Sequence, residues 1–264
     1  MSKIIMVTSG KSGTGKSTVC ANVASGLAAL GNKTVVVELS SSLRSLDIML
    51  GVRKAELKHD IMEYLNADGA IDLFSATAKV GQAWRVCQPD DENLYLICAS
   101  LNPYAKLDST KILGVLEELK QHFDYVVIDT VGSDAPCASS SVNSLGFALS
   151  LAKMSEMILV VTTPDEVSVR DCAALSDLLY VKGCENQKLL INKVEKPSDE
   201  SGAVNLDTVM NEIGIPLAGV LCKDADIQIC SSKGISLPPG SLGMKEFHAI
   251  ANRILGNHVP LTEF

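Results

Sequence analysis

The chain has 264 residues, of which 47% are apolar, and a formal net charge of −8, so it can bury a full core but is not expected to bind DNA non-specifically. No apolar run reaches the roughly 20 residues that span a bilayer, and the first residues lack the long apolar stretch of a signal peptide. Eight cysteines without a CxxC pair indicate reduced thiols and a cytoplasmic protein.

Short β-branched runs alternate with amphipathic segments along the chain. The predicted strands are Ile4–Thr8, Thr34–Val37, Leu94–Cys98, Tyr125–Ile128, Met157–Thr162, Leu189–Asn192 and Leu217–Val220. The predicted helices are Thr18–Leu30, Ser109–Phe123, Ser168–Tyr180, Leu206–Ile213 and Met244–Leu255. Continuous apolar strands are typical of a parallel sheet covered on both faces. We therefore expect an α/β three-layer sandwich with a mostly parallel, doubly wound sheet, forming a single domain over residues 1–264.

A glycine-rich loop follows the first predicted strand. This loop fits the pattern G-x-x-x-x-G-K-[ST] with the residues Gly10-Lys11-Ser12-Gly13-Thr14-Gly15-Lys16-Ser17. A predicted helix follows it directly and begins at Thr18. The glycines allow backbone N–H groups to point inward, and the start of the following helix adds to this anion site. We expect Lys16 to contact the β- and γ-phosphates and the Ser17 hydroxyl to ligate Mg²⁺. The loop from Gly10 to Thr18 therefore predicts a site for ATP with Mg²⁺.

A lysine directly after the first glycine of this loop narrows the comparison with known families. The run from Lys11 to Ser17 resembles the deviant Walker A motif of the MinD/ParA group of P-loop ATPases. Further similar stretches follow in the same order, at Leu43–Asp47, Asn93–Leu96, Phe123–Asp129, Thr163–Asp171 and Leu217–Val220. In that group the additional lysine reaches across a nucleotide-sandwich dimer to the partner's phosphates. The resemblance thus implies catalytic roles for Lys11 and Lys16 and an ATP-dependent homodimer.

Two carboxylates are expected to complete the metal site and join the catalytic set. Asp129 ends a buried predicted strand and matches the family's Walker B aspartate, and Gly132 after it can present a backbone N–H to the γ-phosphate. Glu38 directly follows the second predicted strand, where its carboxylate can reach the Mg²⁺ water shell. The predicted metal set is therefore Ser17, Glu38 and Asp129.

Ser40 departs from the family pattern, which places at this position an aspartate credited with orienting the attacking water. A serine can neither supply the negative charge nor take up a proton at neutral pH. We therefore expect firm ATP binding with slow or absent hydrolysis. Asp47 is the alternative source of the missing carboxylate, although the run Leu43–Asp47 equally fits a structural ion pair.

The side chains expected beside the base come from two later strand ends. Asn192 resembles the asparagine with which this group reads the adenine edge, and a plain turn residue is the alternative. Cys222 and Asp224 fall in the second loop that the resemblance places next to the base. All three are predicted to bind the nucleotide together with the phosphate loop.

Two further features bear on cofactors and location. Cys98 and Cys137 lie in regions where a distant relative holds an iron–sulfur cluster, but buried thiols are the favoured interpretation. After Leu255 the tail Gly256–Phe264 has no lysine or arginine and contains a proline, so it does not resemble the membrane-binding helix of MinD. We expect no intrinsic membrane anchor, and recruitment to a membrane only through a partner.

The resemblance implies an ATP-dependent dimerising switch that positions an unidentified protein partner, as in cell division, partitioning or pilus localisation. The helix face around Ser168–Leu179 is the expected contact for that partner. One alternative is an ATPase of metal delivery or cofactor maturation, although the paired cysteines of metallochaperones are lacking. The other is a scaffold that keeps ATP without hydrolysing it.

Overall fold

A computed structural model describes residues 2–39, 44–67, 69–80, 93–102, 108–130, 145–195 and 205–261. Ser40, Gly132 and Cys137 lie outside these described residues, and the expectations that concern them remain predictions.

An eight-stranded sheet forms the centre of the described chain. Its strands are β1 (Lys3–Thr8), β2 (Thr34–Glu38), β3 (Ala78–Lys79), β4 (Leu94–Ile97), β5 (Tyr125–Asp129), β6 (Met157–Thr162), β7 (Gln187–Val194) and β8 (Leu217–Cys222). They lie in the order β3-β4-β2-β5-β1-β6-β7-β8, and only the edge pair β3 and β4 is antiparallel. All seven predicted strands are confirmed. The sequence did not indicate β3, because two residues are too few to show a period.

Helices cover both faces of this sheet. They are α1 (Lys16–Ala29), α2 (Leu46–Met49), α3 (Ile61–Asn66), α4 (Ser109–Leu119), α5 (Leu145–Met154), α6 (Glu166–Val181), α7 (Leu206–Ile213), α8 (Ala225–Lys233) and α9 (Leu242–Ile254). The predicted helices correspond to α1, α4, α6, α7 and α9. The prediction extended α4 to Phe123, but the helix ends at Leu119 and the chain turns before β5. The predicted doubly wound α/β fold is confirmed.

Alternate residues of one strand enter two separate cores. In β1, Ile5 and Val7 pack in a cluster with α1, α8 and α9, whereas Ile4 and Met6 pack in a cluster with α3 to α7. Both faces of the strand are therefore buried, which explains why its sequence is continuously apolar. Because parallel strands all end at the same edge of the sheet, the carboxyl ends of β1, β2, β5, β7 and β8 lie together there.

Within the residues that the structure describes, no helix has the length and apolar character needed to cross a membrane.

Candidate nucleotide-binding site

The glycine-rich loop connects the end of β1 to the start of α1. Gly13 and Gly15 have φ values of +78° and +95°, a left-handed conformation that glycine adopts without a steric cost. Gly15 directly precedes α1, and no side-chain hydrogen bond caps the first turn of this helix. The N–H groups of that turn point out of the helix start, and the helix dipole favours negative charge at the same place, so this end of α1 suits an anion.

Two side chains at the end of β7 donate hydrogen bonds to the backbone of this loop. The Asn192 Nδ2 donates to the backbone oxygen of Thr14 at 2.7 Å, and the Lys193 Nζ donates to the backbone oxygen of Gly13 at 2.7 Å. A Cβ on Gly15 would lie 2.3 Å from the Asn192 Nδ2, so the glycine is needed for this close approach. The structure therefore uses the Asn192 amide to hold the loop, and the base-reading role stays a prediction.

The loop lysine and two hydroxyl groups are connected within the loop itself. The Lys16 Nζ donates to the Ser9 Oγ at 3.0 Å, and the Ser9 Oγ donates to the backbone oxygen of Lys11 at 2.7 Å. The Thr14 Oγ1 donates to the same oxygen of Lys11 at 3.5 Å. The ammonium of Lys16 thus lies folded against the loop, where a bound phosphate group would compete with the Ser9 hydroxyl for it.

Ser17 and Asp129 meet where β5 ends beside α1. The Ser17 Oγ donates to the Asp129 Oδ2 at 2.6 Å, and the Oδ1 of this buried carboxylate has no hydrogen-bond partner among the described residues. Burial raises the pKa of Asp129 from 3.8 to about 6, against the opposing effects of the Ser17 hydrogen bond and the Lys16 charge. A hydroxyl and a carboxylate with an unused oxygen fit Mg²⁺, which takes few protein ligands and completes its shell with water and phosphate.

Glu38 lies next to Asp129 across the β2–β5 pair but has different partners. Its Oε1 accepts from the backbone N–H groups of Ser45 at 2.7 Å and Leu46 at 3.1 Å, and its Oε2 accepts from that of Ala99 at 3.4 Å. The side chain is fully buried, and this burial raises the pKa of Glu38 to about 7. Both oxygens are thus engaged with the backbone, and the metal role predicted for Glu38 stays a prediction.

Asp47, the alternative carboxylate, is used structurally. Its Oδ2 lies 2.8 Å from the Arg44 Nη2 and accepts from the Arg44 Nε at 2.9 Å. These contacts bear out the ion-pair interpretation of this stretch.

Lys11 pairs with Asp165 within the same chain. The Lys11 Nζ lies 3.1 Å from the Asp165 Oδ1, and both side chains are partly exposed. Asp165 also begins α6, where its carboxylate accepts from the Ser168 backbone N–H at 3.0 Å and from the Thr163 hydroxyl at 2.6 Å. Partial burial by itself would raise the pKa of Asp165. The hydrogen bonds from Thr163, Ser168 and Lys11 outweigh it and hold this pKa well below its usual range. The additional lysine of the loop is therefore attached to the first turn of α6.

A cavity of about 490 Å³ opens beside the phosphate loop, a volume within the usual range of small-molecule sites. Gly15, Thr18, Cys222 and Asp224 line it, so the structure brings two of the three predicted base-side residues to the cavity, whereas Asn192 does not line it. Sequence reasoning missed the other lining residues, which are Ser45, Ile48, Met49, Lys193, Lys223, Ile227, Gln228, Ser231 and Ser232. Most belong to α2 and α8, whose short or polar sequences show no clear apolar period.

Cys98 lies outside this cavity and is buried just after β4. Burial raises the pKa of its thiol far above the ordinary value, so it is poorly suited to bind a metal as thiolate. In the described part of the chain, no three histidine, cysteine, aspartate or glutamate residues form a group that could hold a metal ion. The burial of Cys98 favours the buried-thiol interpretation, and Cys137 lies outside the described residues.

Comparisons with known proteins cover nearly the whole chain. The family profile described as the CobQ/CobB/MinD/ParA nucleotide binding domain matches residues 5–237. The chain is 30% identical over 266 residues to the septum site-determining protein MinD of Bacillus subtilis (strain 168). This alignment covers 99% of this chain and 92% of that protein.

Solved structures show the same fold at lower identity. The MinC:MinD cell division protein complex of Aquifex aeolicus matches with a TM-score of 0.80 and 22% identity, over 100% of this chain and 99% of that chain. The septum site-determining protein MinD of Pyrococcus horikoshii OT3, complexed with Mg-ADP, matches with a TM-score of 0.76 and 23% identity, over 96% of each chain.

Proposed function

Since the chain belongs to the MinD/ParA family of P-loop nucleotide-binding proteins, we propose that it is an ATP-dependent switch that dimerises and positions a partner protein. The observation that carries this proposal is the phosphate loop Gly10–Thr18 with the Ser17–Asp129 hydrogen bond beneath it. These residues supply, at one place, N–H donors for phosphate, a lysine and a pair of hard oxygen ligands.

Different residues of the chain would bind the phosphates, the Mg²⁺ and the base of ATP. Backbone N–H groups at the start of α1 would hold phosphate oxygens, and Lys16 would turn from the Ser9 hydroxyl to the β- and γ-phosphates. Ser17 and Asp129 would hold Mg²⁺, which when bound supplies positive charge against the phosphates. Cys222 and Asp224 would lie beside the base, because they line the cavity that adjoins Gly15 and Thr18.

Dimerisation would change the partner of Lys11. In one chain this lysine is paired with Asp165, whereas the family's dimer directs it to the phosphates of the second subunit. A triphosphate in the partner carries more negative charge than one carboxylate, so its presence would draw Lys11 away from α6. ATP binding, dimer formation and the start of α6 would thereby be linked.

The outer surface of α6 would provide the contact for a partner. Ser168, Cys172 and Leu179 are buried, whereas Val167, Tyr180 and Val181 at the two ends of the helix are exposed. The structural relative from Aquifex aeolicus is a complex with MinC, which supports a protein partner of this general kind. The partner of this chain would be identified by an ATP-dependent pull-down, with Lys16→Ala in parallel.

Hydrolysis would be slow or absent because Ser40 replaces the expected aspartate. A phosphate-release assay measures this, and a rate equal to that of an ordinary MinD ATPase would contradict it. A scaffold that retains ATP without turnover predicts nucleotide trapped in the purified protein and no phosphate release.

We further propose that residues 1–264 form one domain that acts in the cytoplasm. The family match ends at residue 237, but α9 beyond it packs on α1 and β8. Gly219 of β8 and Ile250 of α9 are in such close contact that a Cβ on the glycine would lie 2.5 Å from the isoleucine side chain.

Size-exclusion chromatography with ATP and with ADP tests the dimer directly. We expect wild type to elute as a dimer only with ATP, and Lys11→Ala to remain monomeric with either nucleotide. Lys16→Ala should lose ATP binding altogether. A wild-type chain that binds ATP but stays monomeric would refute the dimerising switch while leaving the nucleotide site intact.

A further inference from the structure

The segment from Arg44 to Met49 forms one wall of the cavity beside the phosphate loop. Ser45, Ile48 and Met49 line this cavity together with Gly15 and Thr18 of the loop side. The cavity therefore has a phosphate side, built by the loop, and a wall that comes from a separate part of the chain.

This wall is held by close packing against the end of α8. A Cβ on Gly234 would lie 2.4 Å from the backbone oxygen of Ile48 and 2.7 Å from the Cα of Gly51. Gly234 has a φ of +61°, which a side chain would also strain. Leu46 and Leu50 on the other side of the segment are fully buried in the core. The segment can therefore occupy only a narrow range of positions.

Glu38 supplies the polar attachment of the same segment. One carboxylate oxygen accepts from two successive backbone N–H groups, those of Ser45 and Leu46, and the other oxygen faces the N–H of Ala99. Hydrogen bonds from N–H groups to a carboxylate are stronger than those between neutral groups, and they are formed here without competition from water. Glu38 thereby fixes the backbone of Ser45 and Leu46, and this backbone leads directly to Ile48 and Met49, which line the cavity.

We propose that Glu38 is a positioning residue for the base side of the nucleotide site, which fixes the wall formed by Ser45, Ile48 and Met49. It acts through the backbone of this segment and does not itself contact the nucleotide or the metal. The proposal rests on the proposed function, since it assumes that the cavity receives the base of ATP.

Two substitutions separate this role from the metal role. Glu38→Asp keeps the charge but shortens the side chain by one methylene, so it cannot reach the N–H groups of Ser45 and Leu46 from the end of β2. Glu38→Gln removes the charge but keeps one oxygen within reach of the N–H groups of Ser45 and Leu46, and it gives up only the longer contact with the N–H of Ala99 at 3.4 Å. A wall-positioning role predicts that glutamine is tolerated and aspartate is not, whereas a metal role predicts that the charged aspartate is the better replacement.

The test compares two ligands by isothermal titration calorimetry, each with Mg²⁺. ATP occupies the phosphate loop and the cavity, whereas inorganic tripolyphosphate occupies the loop alone. We expect Glu38→Asp to bind ATP about 10-fold more weakly than wild type and tripolyphosphate about equally. Glu38→Gln should bind both ligands within about 3-fold of wild type and require the same Mg²⁺ concentration.

Amide hydrogen exchange on the nucleotide-free chain gives a second measurement that does not depend on ligand binding. The amides of Ser45 and Leu46 should exchange faster in Glu38→Asp than in Glu38→Gln, which keeps an oxygen to accept from both. Should the aspartate variant fail to fold, the glutamine variant still decides the matter, because a lower affinity for tripolyphosphate with Mg²⁺, together with unchanged protection of these two amides, would overturn the proposal.

The remaining outcomes are also decisive. If Glu38→Gln loses tripolyphosphate affinity and needs more Mg²⁺, Glu38 serves the metal and the proposal is wrong. If neither variant changes ATP affinity, the wall does not depend on Glu38 and the proposal is equally wrong. Lys16→Ala is the control for the site itself: its failure to weaken either ligand would refute the nucleotide site, which is a different result.

Discussion

Replacing Gly15 with alanine is expected to destabilise the chain through two separate effects. The residue has a φ of +95°, which an L side chain rarely adopts, and its new Cβ would lie 2.3 Å from the Asn192 Nδ2. The first effect is local backbone strain, and the second is a contact that the structure must relieve by moving the Asn192 amide away from the Thr14 oxygen.

The size of each effect follows from its cause. A left-handed backbone costs an L residue about 1–2 kcal/mol. Displacing the Asn192 amide removes a hydrogen bond and leaves a buried donor without a partner, which costs roughly 1–3 kcal/mol more. We therefore expect Gly15→Ala to lower the free energy of unfolding by about 2–5 kcal/mol.

Gly13 offers a matched control, because it has a φ of +78° but no atom within 4 Å of an added Cβ. Gly13→Ala should therefore cost only the backbone strain, about 1–2 kcal/mol. Urea denaturation of the nucleotide-free chain measures the free energy of unfolding for both variants. In an Asn192→Ala background the contact is removed, so Gly15→Ala should cost no more than Gly13→Ala.

Two results would refute this reasoning. One is an equal cost for Gly13→Ala and Gly15→Ala in the otherwise wild-type chain. The other is a cost for Gly15→Ala that does not fall when Asn192 is replaced, since the two residues would then act independently.

Three further substitutions test other parts of the site and the core. Asp165→Asn keeps an acceptor for the Ser168 N–H but loses the charge that holds Lys11, so sedimentation velocity should show a larger dimer fraction in ATP; an unchanged fraction would contradict the competition. Asp129→Asn should abolish the tightening of ATP binding by Mg²⁺, about 10-fold or more in wild type, without changing metal-free binding; calorimetry with and without Mg²⁺ measures this, and full retention of the Mg²⁺ effect would exclude Asp129 as a ligand. Burial raises the pKa of Glu246 from 4.5 to about 7, so its contribution to stability is complete below the unfolded value and is lost as pH rises through the folded one. Glu246→Gln should therefore be more stable than wild type at about pH 8, by roughly 1–3 kcal/mol in urea denaturation, and equal stability at that pH would show that burial does not raise the pKa of Glu246 in the folded chain.

The sequence was sufficient for the parts of the fold and site that depend on local chemistry. Continuous apolar runs predicted the strands that are buried on both faces. In β1, for example, Ile5 and Val7 enter one core and Ile4 and Met6 enter the other. The phosphate loop is equally local, because its glycines, Lys16 and Ser17 are consecutive residues. A pattern of neighbours in the chain was enough to predict both.

Long-range contacts decided what several predicted residues do. In the structure the Asn192 amide holds Thr14, and Glu38 accepts from the backbone of Ser45 and Leu46, while the base role of Asn192 and the metal role of Glu38 stay predictions. The partner of Asn192 cannot be read from the surrounding sequence, since Asn192 and Thr14 are 178 residues apart, and the Ala99 N–H that faces Glu38 is 61 residues from it. A polar side chain at a strand end bonds to whatever the fold brings within about 3 Å of it, and only the packed chain determines that neighbour.

The same difference between local and long-range contacts explains why the sequence predicted the phosphate loop but not most of the cavity wall. The helices α2 and α8 carry too few apolar residues in register to be predicted, yet they meet across Gly234 and form most of the wall. Lys11 was identified from its place in the motif, but its pairing with Asp165 depends on β1 and β6 lying side by side. The sequence by itself therefore determined the phosphate loop and the layers that hold it, because both arise from neighbouring residues. The tertiary structure decided the partners of its side chains, because these come from strands that are distant in the chain and adjacent in the sheet.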